Sequence, residues 1–184
     1  MRFTETAIPG VVVIEPERVE DSRGFFARTF CADEFQAHGL VEPFVQCSVS
    51  YNRRKGTLRG MHYQIPPGAE TKLVRCTVGA IFDVVLDLRA GSSSLTNWVG
   101  IELTAENHRM IYVPKGCAHG YQTLVDGCEV FYQISEMHDP KLARGVRWDD
   151  PSFAITWPDE TYRLMSEKDR TYPDFSPTRE ALQI

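Results

Sequence analysis

The chain has 184 residues, 42% hydrophobic and 24% charged, which is the composition of an ordinary folded domain with a sizeable core. Its formal charge of −5 comes with no block of like sign, which speaks against duplex nucleic acid as a partner. No apolar run approaches the ~20 residues of a membrane span, so no membrane partner is expected.

Along the chain, the start Met1-Arg2-Phe3-Thr4-Glu5 lacks a signal-peptide pattern. Five cysteines, an odd number with no Cys-x-x-Cys, suggest reduced thiols and a cytoplasmic location. A first strand-like run falls at 11–14, and 33–39 reads as one short helix stopped by Gly39. Arg53-Arg54-Lys55 is the densest basic cluster, readable as a solvated loop or as an anion site. Further β-rich runs occupy 73–78, 81–88, 98–103, 110–113 and 128–134, with Gly79-Ala80 as a tight connection. From Trp157 onward the chain is polar and broken by prolines, with a short helix expected after Pro177. No repeat or linker interrupts this pattern, so 1–184 reads as one domain. Regular strand spacing with little helix predicts an all-β sandwich or closed jelly roll.

Two motifs end in histidine. The first is Gly56-Thr57-Leu58-Arg59-Gly60-Met61-His62-Tyr63-Gln64, and the second is Pro114-Lys115-Gly116-Cys117-Ala118-His119-Gly120. Both resemble cupin signatures, and the resemblance implies a cupin-type jelly roll (a double-stranded β-helix) with a few short helices. Metal-binding cupins carry His-x-His plus Glu in the first motif and another His in the second. Here Gln64 stands where the second His belongs, and a neutral amide competes poorly with imidazole for a transition metal. No metal and no other cofactor is expected, and the chemistry falls to histidine acid/base work.

Three further features bear on that chemistry. Asp83 and Asp87 share one face of an otherwise apolar strand with Val85. They are either structural partners of Arg89 or Arg75, or, for Asp83, the group that orients an interior histidine. Arg59 and His62 are three apart and would face opposite sides of a regular strand; a bulge at Gly60 would turn both inward. Cys117 beside His119 could form a nucleophile pair, though cysteine is commonly a small buried hydrophobe.

More segments extend the pattern: Asp21-Ser22-Arg23-Gly24-Phe25-Phe26, Lys72-Leu73-Val74-Arg75, Asp83-Val84-Val85-Leu86-Asp87-Leu88-Arg89, Asp150-Pro151, Ile155-Thr156-Trp157-Pro158 and Ser166-Glu167-Lys168-Asp169. Taken in order, from about residue 9 to residue 173, they resemble the nucleotide-sugar 3,5-epimerase family. The resemblance implies inversion of C3, C5 or both in an NDP-4-keto-6-deoxyhexose or related 4-keto sugar, through an enolate. It implies His62 as the base and Asp169 as its partner, a carboxylate that fixes the tautomer and raises basicity. Tyr132 would be the acid, protonated at neutral pH, and Lys72 the cation near the enolate oxygen. The substrate site would comprise Arg23, Phe26, Arg28, Gln46, Ser48, Ser50, Asn52, Arg59, His119, His138 and Lys168. Arg23 and Arg59 suit phosphate through their planar guanidinium groups. Alternation places Gln46, Ser48, Ser50 and Asn52 on one strand face. A homodimer is implied, with N-terminal strands reaching the partner's site.

The chain departs from the family where Ser48 replaces an Asn and Asn52 a Ser. It also departs at the nucleobase end, where thymidine-using relatives have Glu at 28, Tyr at 138 and Glu at 143. Here these are Arg28, His138 and Ala143, which predicts a rewritten base pocket or simple drift around thymidine. Rival functions are a ketoisomerase on a similar sugar, a catalytically silent sugar-nucleotide-binding cupin, and a metal-dependent dioxygenase, the last opposed by Gln64.

Overall fold

A computed structural model describes residues 1–158 and 161–176 of the chain. In order, β1 (Arg2–Glu5), β2 (Val12–Glu15), β3 (Arg18–Asp21) and β4 (Gly24–Ala27) precede α1 (Ala32–Ala37). Then come β5 (Gln46–Asn52), β6 (Leu58–Gln64), β7 (Lys72–Val78), β8 (Ala80–Asp87) and β9 (Trp98–Thr104). β10 (Met110–Val113), β11 (Cys117–Thr123), β12 (Cys128–Ile134) and β13 (Ala143–Gly145) lead to α2 (Glu167–Arg170).

The strands form a six-stranded sheet, β1-β2-β10-β7-β12-β5, and a five-stranded sheet, β13-β6-β11-β8-β9, with β3–β4 as a separate ribbon. Residues from both sheets meet in one buried cluster, including Val74 and Cys76 of β7, Val85 of β8, Ile111 of β10 and Val130 of β12. Val84 and Leu86 point the other way, into a second cluster with Met61, Phe153, Trp157 and Phe175. β8 is therefore buried on both faces, which is why 81–88 reads as a nearly unbroken apolar run. The fold is the all-β jelly roll that the motifs imply. The connection at Gly79 is tight as expected, and it crosses from one sheet to the other with φ +79°.

Local chemistry explains the helices. α1 carries Asp33 and Glu34 in its first turn, where the helix dipole favours acids. It ends when the Gly39 N–H binds the Gln36 carbonyl and the Leu40 N–H binds the Phe35 carbonyl. This is the Schellman arrangement, and Gly39 supplies the left-handed residue it needs, with φ +75°. Phe35 and Leu40 then pack together with Tyr112 and Met110, sealing the helix to the six-stranded sheet. α2 has its own cap, since Ser166 Oγ accepts the Asp169 N–H at 3.1 Å. The helix expected after Pro177 lies outside the described residues. Strands β1, β3 and β4 escape a sequence reading because they are short and mostly exposed, so no apolar alternation marks them.

The bulge at Gly60 is present. Arg59 pairs with Tyr121 and His62 with His119, so three steps on β6 oppose two on β11. Gly60 has φ +132°, and a Cβ there would lie 2.5 Å from the Gly120 Cα. Both glycines allow the strands to approach closely. The extra residue turns Arg59 and His62 to one side, while Met61 enters the outer core.

Candidate active site

A cavity of about 790 Å³ opens between the two sheets, within the range of small-molecule sites. His62 and His119 enter it from the five-stranded sheet, and Lys72 and Tyr132 from the six-stranded sheet. Asp169 and Lys168 come from α2. Backbone bonds hold that C-terminal segment beside β6: the Leu58 N–H binds the Leu164 carbonyl at 2.9 Å and the Leu164 N–H the Gly56 carbonyl at 3.0 Å.

His62 Nε2 lies 2.7 Å from Asp169 Oδ1. The carboxylate is buried while the imidazole is 43% exposed, so the ring presents its other nitrogen to the cavity. Burial alone would push the Asp169 carboxyl up. The His62 ring, the Gly60 backbone N–H and the Ser166 hydroxyl outweigh it and hold the carboxyl below its usual range. Tyr172, two residues beyond the end of α2, meets the His62 ring edge-on at 6.3 Å.

On the opposite wall, burial raises the Tyr132 phenol well above its ordinary value, helped by Tyr121 and Asp83 and opposed by Arg59. It keeps its proton at neutral pH. Lys72 Nζ is 2.8 Å from Glu70, both side chains being about nine-tenths buried. His119 Nε2 lies 2.8 Å from Asp83 Oδ2, so Asp83 does orient an interior histidine. Burial pushes the Asp83 carboxyl up against the opposing influence of His119 and Lys72. Asp87 takes the structural alternative. It accepts bonds from Arg89, Ser92 and Ser94, the two hydroxyls at 2.6 Å.

Arg59 lines the cavity, and its Nε donates to Asn52 Oδ1 at 2.8 Å. The four polar residues of β5 share a face as expected but divide their partners. Gln46 and Ser48 line the cavity, with Gln46 Oε1 accepting the His138 N–H at 3.1 Å. Ser50 and Asn52 instead bind the Tyr121 hydroxyl, at 2.9 and 3.0 Å. His138, Ala143 and Lys168 also line the cavity. Three expected residues are not brought to it within the chain. Arg23 is bound to Asp21 at 2.6 Å, Phe26 is 73% exposed, and Arg28 is bound to Glu34 at 3.0 Å. Arg23 and Phe26 belong to the β3–β4 hairpin and Arg28 follows it directly, and that ribbon joins neither sheet.

Other candidates resolve locally. Burial raises the Cys117 thiol to about 12 and places it in the core, so it is no nucleophile. Arg54 and the Lys55 N–H both meet Asp126, and all three basic residues of that cluster are exposed, which favours the solvated-loop reading. The Gln64 amide is taken up by backbone: Nε2 donates to Gly68 and Met137, and Oε1 accepts from Asp139 at 2.7 Å. Among the described residues no group of three His, Cys, Asp or Glu side chains is placed to hold a metal. Sequence reasoning missed Glu70, Tyr121 and Tyr172. Tyr121 had a signal, since it lies two residues from His119 on one strand and so shares its face.

Comparison with known proteins agrees with this architecture. The family model for dTDP-4-dehydrorhamnose 3,5-epimerase matches residues 5–177. The enzyme of that name from Methanothermobacter thermautotrophicus is 43% identical over 183 residues, covering 97% of this chain and 95% of that one. The Pseudomonas aeruginosa enzyme is also 43% identical, covering 92% and 93%. The crystal structure of the Bacillus anthracis epimerase with TDP and PPi bound superposes with a TM-score of 0.91 at 40% identity, over 95% of this chain and 99% of that one. The Legionella pneumophila enzyme in complex with dTDP-4-keto-L-rhamnose gives 0.86 at 36% identity, over 91% and 89%. A match this long, over the same fold, makes the chain a member of the dTDP-4-dehydrorhamnose 3,5-epimerase family.

Proposed function

We propose that this protein is an isomerase that inverts C3, C5 or both in an NDP-4-keto-6-deoxyhexose, without a metal or other cofactor. The observation that carries the reading is the placement of a His–Asp pair and a protonated tyrosine on opposite walls of one cavity. Epimerisation needs such a pair, because the proton must leave one face of the carbon and return to the other.

In this reading the 4-keto group acidifies the C–H bonds beside it. Asp169 holds the Nε2 proton of His62, which leaves the Nδ1 lone pair to accept the carbon's proton. The electron pair moves to the ketone oxygen and forms an enolate. The Lys72 ammonium, fixed by Glu70, stabilises that oxygen. Tyr132 delivers its proton to the opposite face, the enolate collapses to the ketone, and the centre is inverted. His62 returns its proton to solvent and Tyr132 regains one. Arg59, Gln46, Ser48 and Lys168 bind the diphosphate and sugar, with His119 and His138 completing the pocket.

The reading includes a homodimer, with Arg23, Phe26 and Arg28 serving the partner's cavity. Its support is the β3–β4 ribbon, whose Val19 and Phe26 are more than two-thirds exposed. It also takes 1–184 as one domain in the cytoplasm, supported by five unpaired cysteines. No helix among the described residues is long and apolar enough to cross a membrane. The absence of a metal rests on Gln64, whose amide is already bound on both sides.

The test is incubation with a panel of NDP-4-keto sugars in D2O. Deuterium at C3 or C5 with an inverted product supports the reading. A shifted carbonyl without inversion would favour a ketoisomerase, and binding without exchange a silent carrier.

A further inference from the structure

Tyr132 cannot act twice without regaining its proton. A buried phenolate is costly, so the proton must return promptly. The front of the phenol faces the cavity that the sugar fills in this reading. The structure has a polar route behind it. Tyr132 packs against Tyr121, a residue only 1% exposed whose hydroxyl helps to hold the Tyr132 proton. The Tyr121 hydroxyl is 2.9 Å from Ser50 Oγ and 3.0 Å from Asn52 Nδ2.

The donors and acceptors of this group can be assigned. Arg59 Nε can only donate, and it points at Asn52 Oδ1. The Asn52 amide is thereby oriented, so its Nδ2 donates to the Tyr121 oxygen. The single Tyr121 O–H has a long contact to Asn52 Oδ1 at 3.3 Å and a shorter one to Ser50 Oγ at 2.9 Å, and it can turn from these to Tyr132. Ser50 lies on β5, the edge strand of its sheet, and is only partly buried.

We propose that Tyr121 and Ser50 form a relay that returns the proton to Tyr132, an inference that rests on the epimerase reading above. After Tyr132 has protonated carbon, Tyr121 donates its O–H proton to the Tyr132 oxygen. Ser50 donates its own to the Tyr121 oxygen and takes one from solvent water. One O–H bond breaks and one forms at each hydroxyl, so the net change is one proton from water to Tyr132. The proton that His62 removed leaves to solvent, and the cycle balances. Asn52, held by Arg59, keeps the Tyr121 oxygen in line.

The experiment compares the unmodified protein, Tyr121→Phe and Ser50→Ala on a 4-keto sugar nucleotide in D2O. Deuterium wash-in at the starting configuration reports His62, and formation of inverted product reports Tyr132. In Tyr121→Phe, inversion should fall about tenfold or more, while wash-in stays within about twofold. The lost rate should rise with the concentration of a small buffer acid at fixed pH, which replaces the relay. Ser50→Ala should move the same ratio in the same direction, and it carries the test if Tyr121→Phe does not fold. An unchanged ratio in the folded variants overturns the relay. So does a slowed inversion indifferent to buffer concentration, which would make Tyr121 a positioning residue only. Absence of exchange in the unmodified protein is a different result, and it overturns the functional reading itself.

Discussion

At the scale of residues, the site is built from carboxylates that each restrain a neighbour: Asp169 for His62, Asp83 for His119 and Glu70 for Lys72. Asp169 shows how burial and partners compete, and the partners prevail. With its pKa lowered by folding, its contribution to stability is present above the ordinary carboxylate range and lost as pH falls through the lowered value. The base end offers a separate test. Ala143 lines the cavity where the family resemblance implies a glutamate. Ala143→Glu restores an acceptor for the thymine ring N–H and should tighten thymidine diphosphate roughly tenfold in a calorimetric titration, leaving guanosine diphosphate unimproved. Equal thymidine diphosphate affinity in both proteins would contradict a base contact at 143. The His62–Asp169 pair was legible because long motifs carry both residues, whereas Tyr132 lies in none of those motifs and was reached through the resemblance alone. The split of β5, with Gln46 and Ser48 at the cavity and Ser50 and Asn52 on Tyr121, was not legible. Alternation gives the shared face but not which strand crosses it.

At the scale of elements, glycines and one acid set the geometry. Gly60 turns β6 so that Arg59 and His62 line one cavity; their spacing alone would have set them on opposite sides, and the glycine was the sign of a bulge. α2 was not read as a helix, although Ser166 followed by Asp169 three residues on is a capping signal. Asp87 closes the turn after β8. Burial would raise its carboxyl, but Arg89, Ser92 and Ser94 bring it down to about 2. The shift from 3.8 contributes roughly 2 kcal/mol of stability above pH ~4, lost as pH falls through the folded value near 2. Asp87→Asn should therefore be less stable near neutral pH, with the difference shrinking between about pH 4 and pH 2 in urea unfolding. A constant difference across that window would show that Asp87 acts by packing rather than charge.

At the scale of the whole molecule, two sheets make the cavity and a third piece stands apart from it. β8 and β10 were legible because burial on both faces leaves unbroken apolar stretches. The detached hairpin was not, because its strands are short and exposed and have no core face in their own chain to pattern them. If Arg23 serves the partner, two inactive proteins should rescue each other. Mixing and reassembling His62→Ala with Arg23→Ala chains gives mixed dimers with one complete site, and activity should recover to roughly a quarter of the unmodified level. No recovery from a mixture proven to contain mixed dimers would place Arg23 in its own chain's site or in none.

In the proposed mechanism everything starts with His62 removing the proton beside the ketone. The most direct test of that step is the rate of deuterium incorporation at C3 and C5 in His62→Ala against the unmodified protein, with the fold checked by circular dichroism. Exchange should fall by a hundredfold or more, the range of a lost general base (about 10²–10⁴), while the fold and nucleoside diphosphate binding persist. Exchange at near the unmodified rate in His62→Ala would contradict it.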